Sequence, residues 1–143
     1  MRRRRFSLLV PVMGLLAACG GSEGSSDAES GAGREIALSA TEGLRFEPMA
    51  ITASAGEKIV LVVSNAGRID HELVIGDAAY LDTHAEGGEH GGHSSGDGGA
   101  QVEVPAGQTR RLTFTMPDGE APSFACFVDR HDKSGMTGTV TYS

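Results

Sequence analysis

The sequence predicts an all-β domain, a β-sandwich, and three observations predict it. Short runs rich in β-branched residues recur along residues 35–143, and Gly, Pro, Asn and Asp separate them. Within those runs apolar and polar side chains alternate with the period of two that a half-buried strand requires. Outside the N-terminal stretch, no ten-residue window shows a helical period. Seven or eight short strands with turns between them bury their apolar faces by packing as two sheets.

Taken in order, Ile36 and Leu38 alternate with polar neighbours, and Met49–Ala53 runs into a turn at Ser54-Ala55-Gly56-Glu57. Lys58–Ser64 (Lys-Ile-Val-Leu-Val-Val-Ser) is long enough and β-branched enough for a central strand, with Asn65-Ala66-Gly67 marking its end. In His71–Ile75, alternation puts His71, Leu73 and Ile75 on one face and Glu72 and Val74 on the other. His71 is thus expected at the inward edge of the core, with Glu72 facing water. Gln101–Val104 leads to a turn at Pro105-Ala106-Gly107, and Arg110–Met116 carries Leu112, Phe114 and Met116 on one face. Pro117-Asp118-Gly119 breaks the chain before Pro122–Val128, and Thr137–Tyr142 closes the domain.

The N-terminus is of another kind. Arg2 to Arg5 precede an apolar stretch from Phe6 to Ala18, too short to span a bilayer comfortably and laid out like an export signal. Leu16-Ala17-Ala18-Cys19-Gly20 resembles a bacterial lipobox, so residues 1–18 read as a signal peptide and Cys19 as a lipidation site; an ordinary secretory cysteine is the plainer alternative. Arg3-Arg4-Arg5-Phe6 leaves Sec and twin-arginine export both open. Residues 19–34 hold no large apolar side chain and read as a flexible tether, which leaves one domain at 35–143. These features place the protein in the cell envelope, exported and held to the extracytoplasmic side of a bacterial membrane by lipid alone.

Charge narrows the partners. The formal net charge is −7, and loss of the four signal arginines takes it to −11. Such a balance disfavours nucleic acid and anionic membrane surfaces and favours partners with a basic docking surface. A domain of this size buries roughly two-thirds of its unfolded surface, enough to fold without disulfides. A monomer is expected.

One constellation carries chemistry. Cys126, His131 and Met136 are each separated by four residues, and His71 lies upstream in a strand. A thiolate, two imidazoles and a thioether are soft-to-borderline donors that suit copper; calcium or magnesium would call for carboxylates, and structural zinc for a second Cys or His pair. With Cys19 committed to lipid, Cys126 would be the mature chain's only thiol, and outside the cytoplasm an unligated thiol is exposed to oxidation. Gly135 would let the loop turn sharply before Met136, and Phe124 and Phe127 flank the cysteine to keep water off a metal.

On these residues the domain resembles the plastocyanin/azurin family of cupredoxins. His71-Glu72-Leu73-Val74-Ile75-Gly76 is similar to the first-ligand strand of its bacterial envelope branch, and Phe124-Ala125-Cys126 with His131 and Met136 is similar to its ligand loop. The resemblance implies a Greek-key β-sandwich and one-electron transfer at a single type 1 copper, with His71, Cys126 and His131 equatorial and Met136 axial. The chain departs from many relatives at Asp129-Arg130, where they have Pro-Gly, and at Glu72, where they have a small polar residue.

Catalysis is not expected. A binuclear copper centre would need a second loop cysteine, a multicopper enzyme further histidine ligands, and no Ser/His/Asp set is present. Electron carriage between redox partner proteins is the leading reading, and a non-redox copper chaperone, buffer or resistance protein its rival. The rival's support is Thr83–Gly99, where His84, His90 and His93 sit among Glu86, Glu89 and Asp97. That segment reads as a disordered polar loop with incidental histidines; the alternative is a loose Cu(II) or zinc site.

Overall fold

In a computed structural model of the protein, residues 33–87, 94–96 and 98–143 are described. The expected signal, Cys19 and most of the tether fall outside them, as do Glu89, His90, His93 and Asp97. Strand β1 is Arg34–Thr41, β2 Arg45–Glu47, β3 Ala50–Ala53, β4 Lys58–Asn65 and β5 His71–Gly76. Helix α1, Ala78–Ala85, follows; then come β6 Ser94–Gly96, β7 Gly99–Val104, β8 Thr109–Thr115, β9 Ser123–Ala125 and β10 Thr137–Tyr142.

The strands form two sheets, ordered β2-β1-β4-β8 and β3-β10-β9-β5-β7-β6. The all-β sandwich expected from the alternation is what forms. In the first sheet β4 is central, parallel to β1 (Leu38 beside Val63) and antiparallel to β8 (Leu61 beside Leu112). Its inward side chains Ile59, Leu61 and Val63 are fully buried against Leu73, Ile75, Val102 and Phe124 of the second sheet. Phe46 and Phe124 meet edge-to-face across this interior, ring centroids 5.4 Å apart. On β8, Leu112 is buried as expected while Phe114 stays half-exposed.

The turn before β4 uses the residues expected of it: Gly56 takes a positive φ of 72° and Glu57 N–H donates to Ser54 O at 3.1 Å. At the other end of β4, the buried Asn65 amide donates to Ile69 O at 2.8 Å and Val104 O at 2.9 Å. Its Oδ1 accepts from Gly67 N–H at 3.0 Å. One side chain thus ties the end of β4 to the segment leading into β5 and to the end of β7, which fixes where His71 begins its strand.

Two expectations need correction here. Helix α1 is not expected from the sequence, and its last residues, Thr83–Ala85, overlap the start of the segment read as a loop. Asp77 caps it, Oδ1 accepting from Tyr80 N–H at 2.8 Å, and that Asp before Ala-Ala-Tyr-Leu was the available signal. Two turns are too few to display a 3.6-residue stripe. The helix is held instead by the Tyr80 ring, which lies against Gly76 and Gly99, a pair facing each other across β5 and β7. A Cβ on Gly99 would collide with that ring, so the seat requires glycine.

The second correction is Glu72, expected to face water and only 3% exposed. All six residues of β5 are buried. Alternation assigned the two faces correctly, but α1 and the segment after β9 cover the outer one.

Candidate metal centre

His71 opens β5 opposite Val104, and Cys126 is the first residue beyond β9. The chain then winds through 3₁₀-type turns over Val128–Ser134 and returns in β10. Backbone bonds close this loop on itself: Cys126 N–H donates to Met136 O at 3.1 Å, and Met136 N–H to His131 O at 3.1 Å. Gly135 adopts φ 97° in the left-handed region, the sharp return its residue type suggested. Just before His131, Asp129 (φ 45°) and Arg130 (φ 64°) also occupy that region without being glycine. Each such residue costs about 1–3 kcal/mol and persists only where the surroundings impose it.

The loop brings three donors together. Cys126 Sγ lies 3.5 Å from His131 Nδ1 and 3.9 Å from His71 Nδ1. All three donor atoms fall within 4.8 Å of one another, and all three residues are buried. The two imidazole rings are 5.2 Å apart between centroids, tilted by 57°. Met136 is fully buried in the same interior, its backbone tied to Cys126 and His131.

Burial pushes the Cys126 thiol up to about 11; hydrogen bonds from the Glu72 and Val128 amides pull against this, while the Glu72 and Asp132 carboxylates add to it. The thiol therefore keeps its proton near neutrality unless a cation takes the proton's place. His71 is pushed below its ordinary value, by burial first and by His131 second, with Asp70 opposing. It is thus a neutral imidazole, the form that ligates. Among the described residues, the buried His71 Nε2 has no hydrogen-bond partner and Nδ1 meets Cys126 Sγ, so no protein oxygen there claims either ring nitrogen. One thiol and two imidazoles, converging with a thioether nearby, fit copper.

The comparisons agree. The description "Copper binding proteins, plastocyanin/azurin family" matches residues 34–143. The chain belongs to that family. Its cofactor is copper, and its fold is that of a cupredoxin. It is 34% identical over 108 residues to a protein of Rubrivivax gelatinosus named copper-resistant cuproprotein CopI, covering 75% of this chain and 65% of that one. A protein of the same name from Vibrio cholerae is 31% identical over 90 residues, covering 63% of this chain and 53% of that one. The cupredoxin chain thus spans less than two-thirds of these relatives' length. Among solved structures, dithionite-reduced auracyanin from Roseiflexus castenholzii superposes with a TM-score of 0.65 at 23% identity, over 79% of this chain and 99% of that one. Auracyanin A from Chloroflexus aurantiacus gives 0.64 at 20% identity, over 76% and 98%. Both share the fold.

Around the cupredoxin centre, several residues stand where the sequence did not put them. Phe124, expected to shield a metal, belongs to the core against Phe46. Phe127 is half-buried and stacks near His84 with ring centroids 6.3 Å apart. Phe127, Asp70, His71, Glu72, Glu103 and Asp129 line a cavity of about 450 Å³ beside the centre. The sequence reads His84 as an incidental loop histidine. It is instead a buried residue of α1, Nδ1 2.9 Å from Tyr80 O and Nε2 2.6 Å from Gln101 Oε1. Both ring nitrogens are engaged by protein oxygens, which leaves neither for a metal.

Proposed function

We propose that this cupredoxin carries single electrons at one type 1 copper, which His71, Cys126 and His131 would hold as the main donors with Met136 as a weaker fourth. The observation that carries this reading is the buried convergence of the three donor atoms within 4.8 Å. Bound copper would supply the one-electron couple. Cys126 would release its thiol proton to water and serve as a thiolate donor, and the two imidazoles would offer Nδ1. The bonds linking Cys126, His131 and Met136 through the loop backbone would resist rearrangement between oxidation states. We read the protein as a carrier and not an enzyme, a monomer serving redox partners with basic docking surfaces. Its anchor would be lipid on Cys19, outside the cytoplasm.

A second reading is favoured by one observation, the similarity to two proteins named copper-resistant cuproproteins. On that reading the same site holds copper for tolerance instead of current. Copper-loaded protein should be intensely blue and reversibly bleached by dithionite; a colourless protein would sink the type 1 assignment. The two roles part in cells. If tolerance is the function, loss of the gene sensitises growth to copper while respiratory electron flow is unchanged. If carriage is the function, electron flow falls first. A Cys19→Ala protein that still fractionates with membranes would contradict the anchor.

A further inference from the structure

The metal centre is closed. His71 is 1% exposed, Cys126 and Met136 are fully buried, and His131, at 8%, is the most exposed of the four. An ion can reach these donors only if part of their cover moves. His131 is carried by Val128–Ser134, and the backbone there is strained. Asp129 takes φ 45°, ψ 30° and Arg130 φ 64°, ψ 33°, two left-handed residues in succession. Aspartate tolerates that region because its short polar side chain can bond locally; arginine has no such compensation and bears the full clash of its Cβ. The bonds that shape the segment are local. Arg130 N–H donates to Phe127 O, Gly135 N–H to Asp132 O and Met136 N–H to His131 O, and none of these three reaches a strand of either sheet. The cavity of about 450 Å³ is lined by Val128 and Asp129 from this segment and by His71 from β5, so the strained turn and a ligand border the same space.

We infer that Val128–Ser134 is a gate: in metal-free protein it lifts, releasing the strain at Asp129 and Arg130, and admits copper from the cavity to the donors. The inference rests on the ligand assignment proposed above. Strain raises the free energy of the closed form alone, because the opened chain leaves the left-handed region, so strain sets how often the segment opens. Binding then closes it. Cys126 stands just beyond β9 and His131 lies within the gate, so an ion held by both ties the gate to the sheet. An ion that binds only the closed form shifts the balance toward that form.

Arg130→Gly set against Arg130→Ala separates backbone from side chain. Glycine adopts the left-handed region freely, whereas alanine keeps the strain and loses the guanidinium. Amide exchange in metal-free protein reads the gate directly. In wild type, Gly135 and Met136 N–H should exchange well before Asn65 N–H, which is bonded to Gln108 O at the end of β4. Arg130→Gly should slow the two loop amides several-fold and slow copper uptake by a similar factor. Part of that gain is offset, because glycine also loosens the opened chain. Arg130→Ala should match wild type in both. Loop amides that exchange no sooner than Asn65 in wild type would mean no opening short of unfolding, and would overturn the gate. Loop exchange unchanged in Arg130→Gly, or slowed equally in Arg130→Ala, would overturn the strain. Slower loop exchange with unchanged uptake would overturn the route. A colourless copper-loaded wild type would instead strike the copper site, and the exchange rates would still judge the gate.

Discussion

His131 and His84 are equally buried, each 8% exposed, and their side chains do opposite things. His84 spends Nδ1 on Tyr80 O and Nε2 on Gln101 Oε1, and its ring lies tilted against that of Tyr80 with centroids 4.6 Å apart. His131 turns Nδ1 toward Cys126 Sγ, and beside it His71 does the same, its Nε2 without a partner among the described residues. Burial does not distinguish a structural histidine from a ligand. What distinguishes them is whether protein oxygens have already claimed the ring nitrogens. Around His84 they have, so it pins α1 to β7; around Cys126 the nitrogens converge on a sulfur.

The most severe way to break this comparison is at the sulfur. Cys126→Ser should abolish the blue colour entirely even where some copper still binds, because the colour is thiolate-to-copper charge transfer; a visible spectrum at matched copper content checks it. Next come the histidines on either side of the contrast. His71→Ala or His131→Ala should cost copper affinity at least the roughly 10–100-fold that loss of a ligand's supporting hydrogen-bond partner costs. His84→Leu should leave affinity and spectrum within error while destabilising the fold by about 1–3 kcal/mol, the penalty for stranding buried partners. Chelator competition and denaturant unfolding on all three variants read both quantities. A His84→Leu protein that lost its colour would erase the distinction.

Met136→Leu is milder. It should keep the colour and raise the reduction potential, since the axial thioether favours Cu(II). An unchanged potential on spectroelectrochemical titration would remove Met136 from the site.

The smallest effect is one of pH on metal-free protein. His71 has a folded pKa pushed below 6.5, so between the two values the unfolded chain binds more protons than the folded one. Its contribution to stability is therefore complete above pH 6.5 and is lost as pH falls through the folded value. Thermal midpoints of wild type and His71→Asn at pH 5 and pH 8 should show a larger acid loss in wild type. An equal loss in both would mean that His71 is not the group responsible.

Much of this was legible beforehand because strand patterning and ligand chemistry are both local. β10 occupies the residues read for it, Thr137–Tyr142, and β4 runs one residue beyond Ser64. The four-residue spacing of Cys126, His131 and Met136 put three donor types on one loop, and the sharp turn needed at Gly135 followed from its residue type. Helix α1 escaped notice because two turns show no periodic stripe; what holds it is the Tyr80 ring on Gly76 and Gly99, partners separated by 23 positions.

By itself, the sequence determined which side chains alternate, which donors are soft enough for copper, and that such donors share a loop. Only the tertiary structure decided what covers each face. Period-two alternation says that Glu72 and Val74 point away from His71, but whether that side meets water depends on elements arriving from elsewhere in the chain. The ligand loop arrives over Glu72 and bonds it through Phe127 N–H, and Gln101 of β7 claims His84. Whether a polar group is solvated or must find a partner is a property of packing between distant segments. For that reason the roles of Glu72 and His84 belong to the fold and not to the pattern.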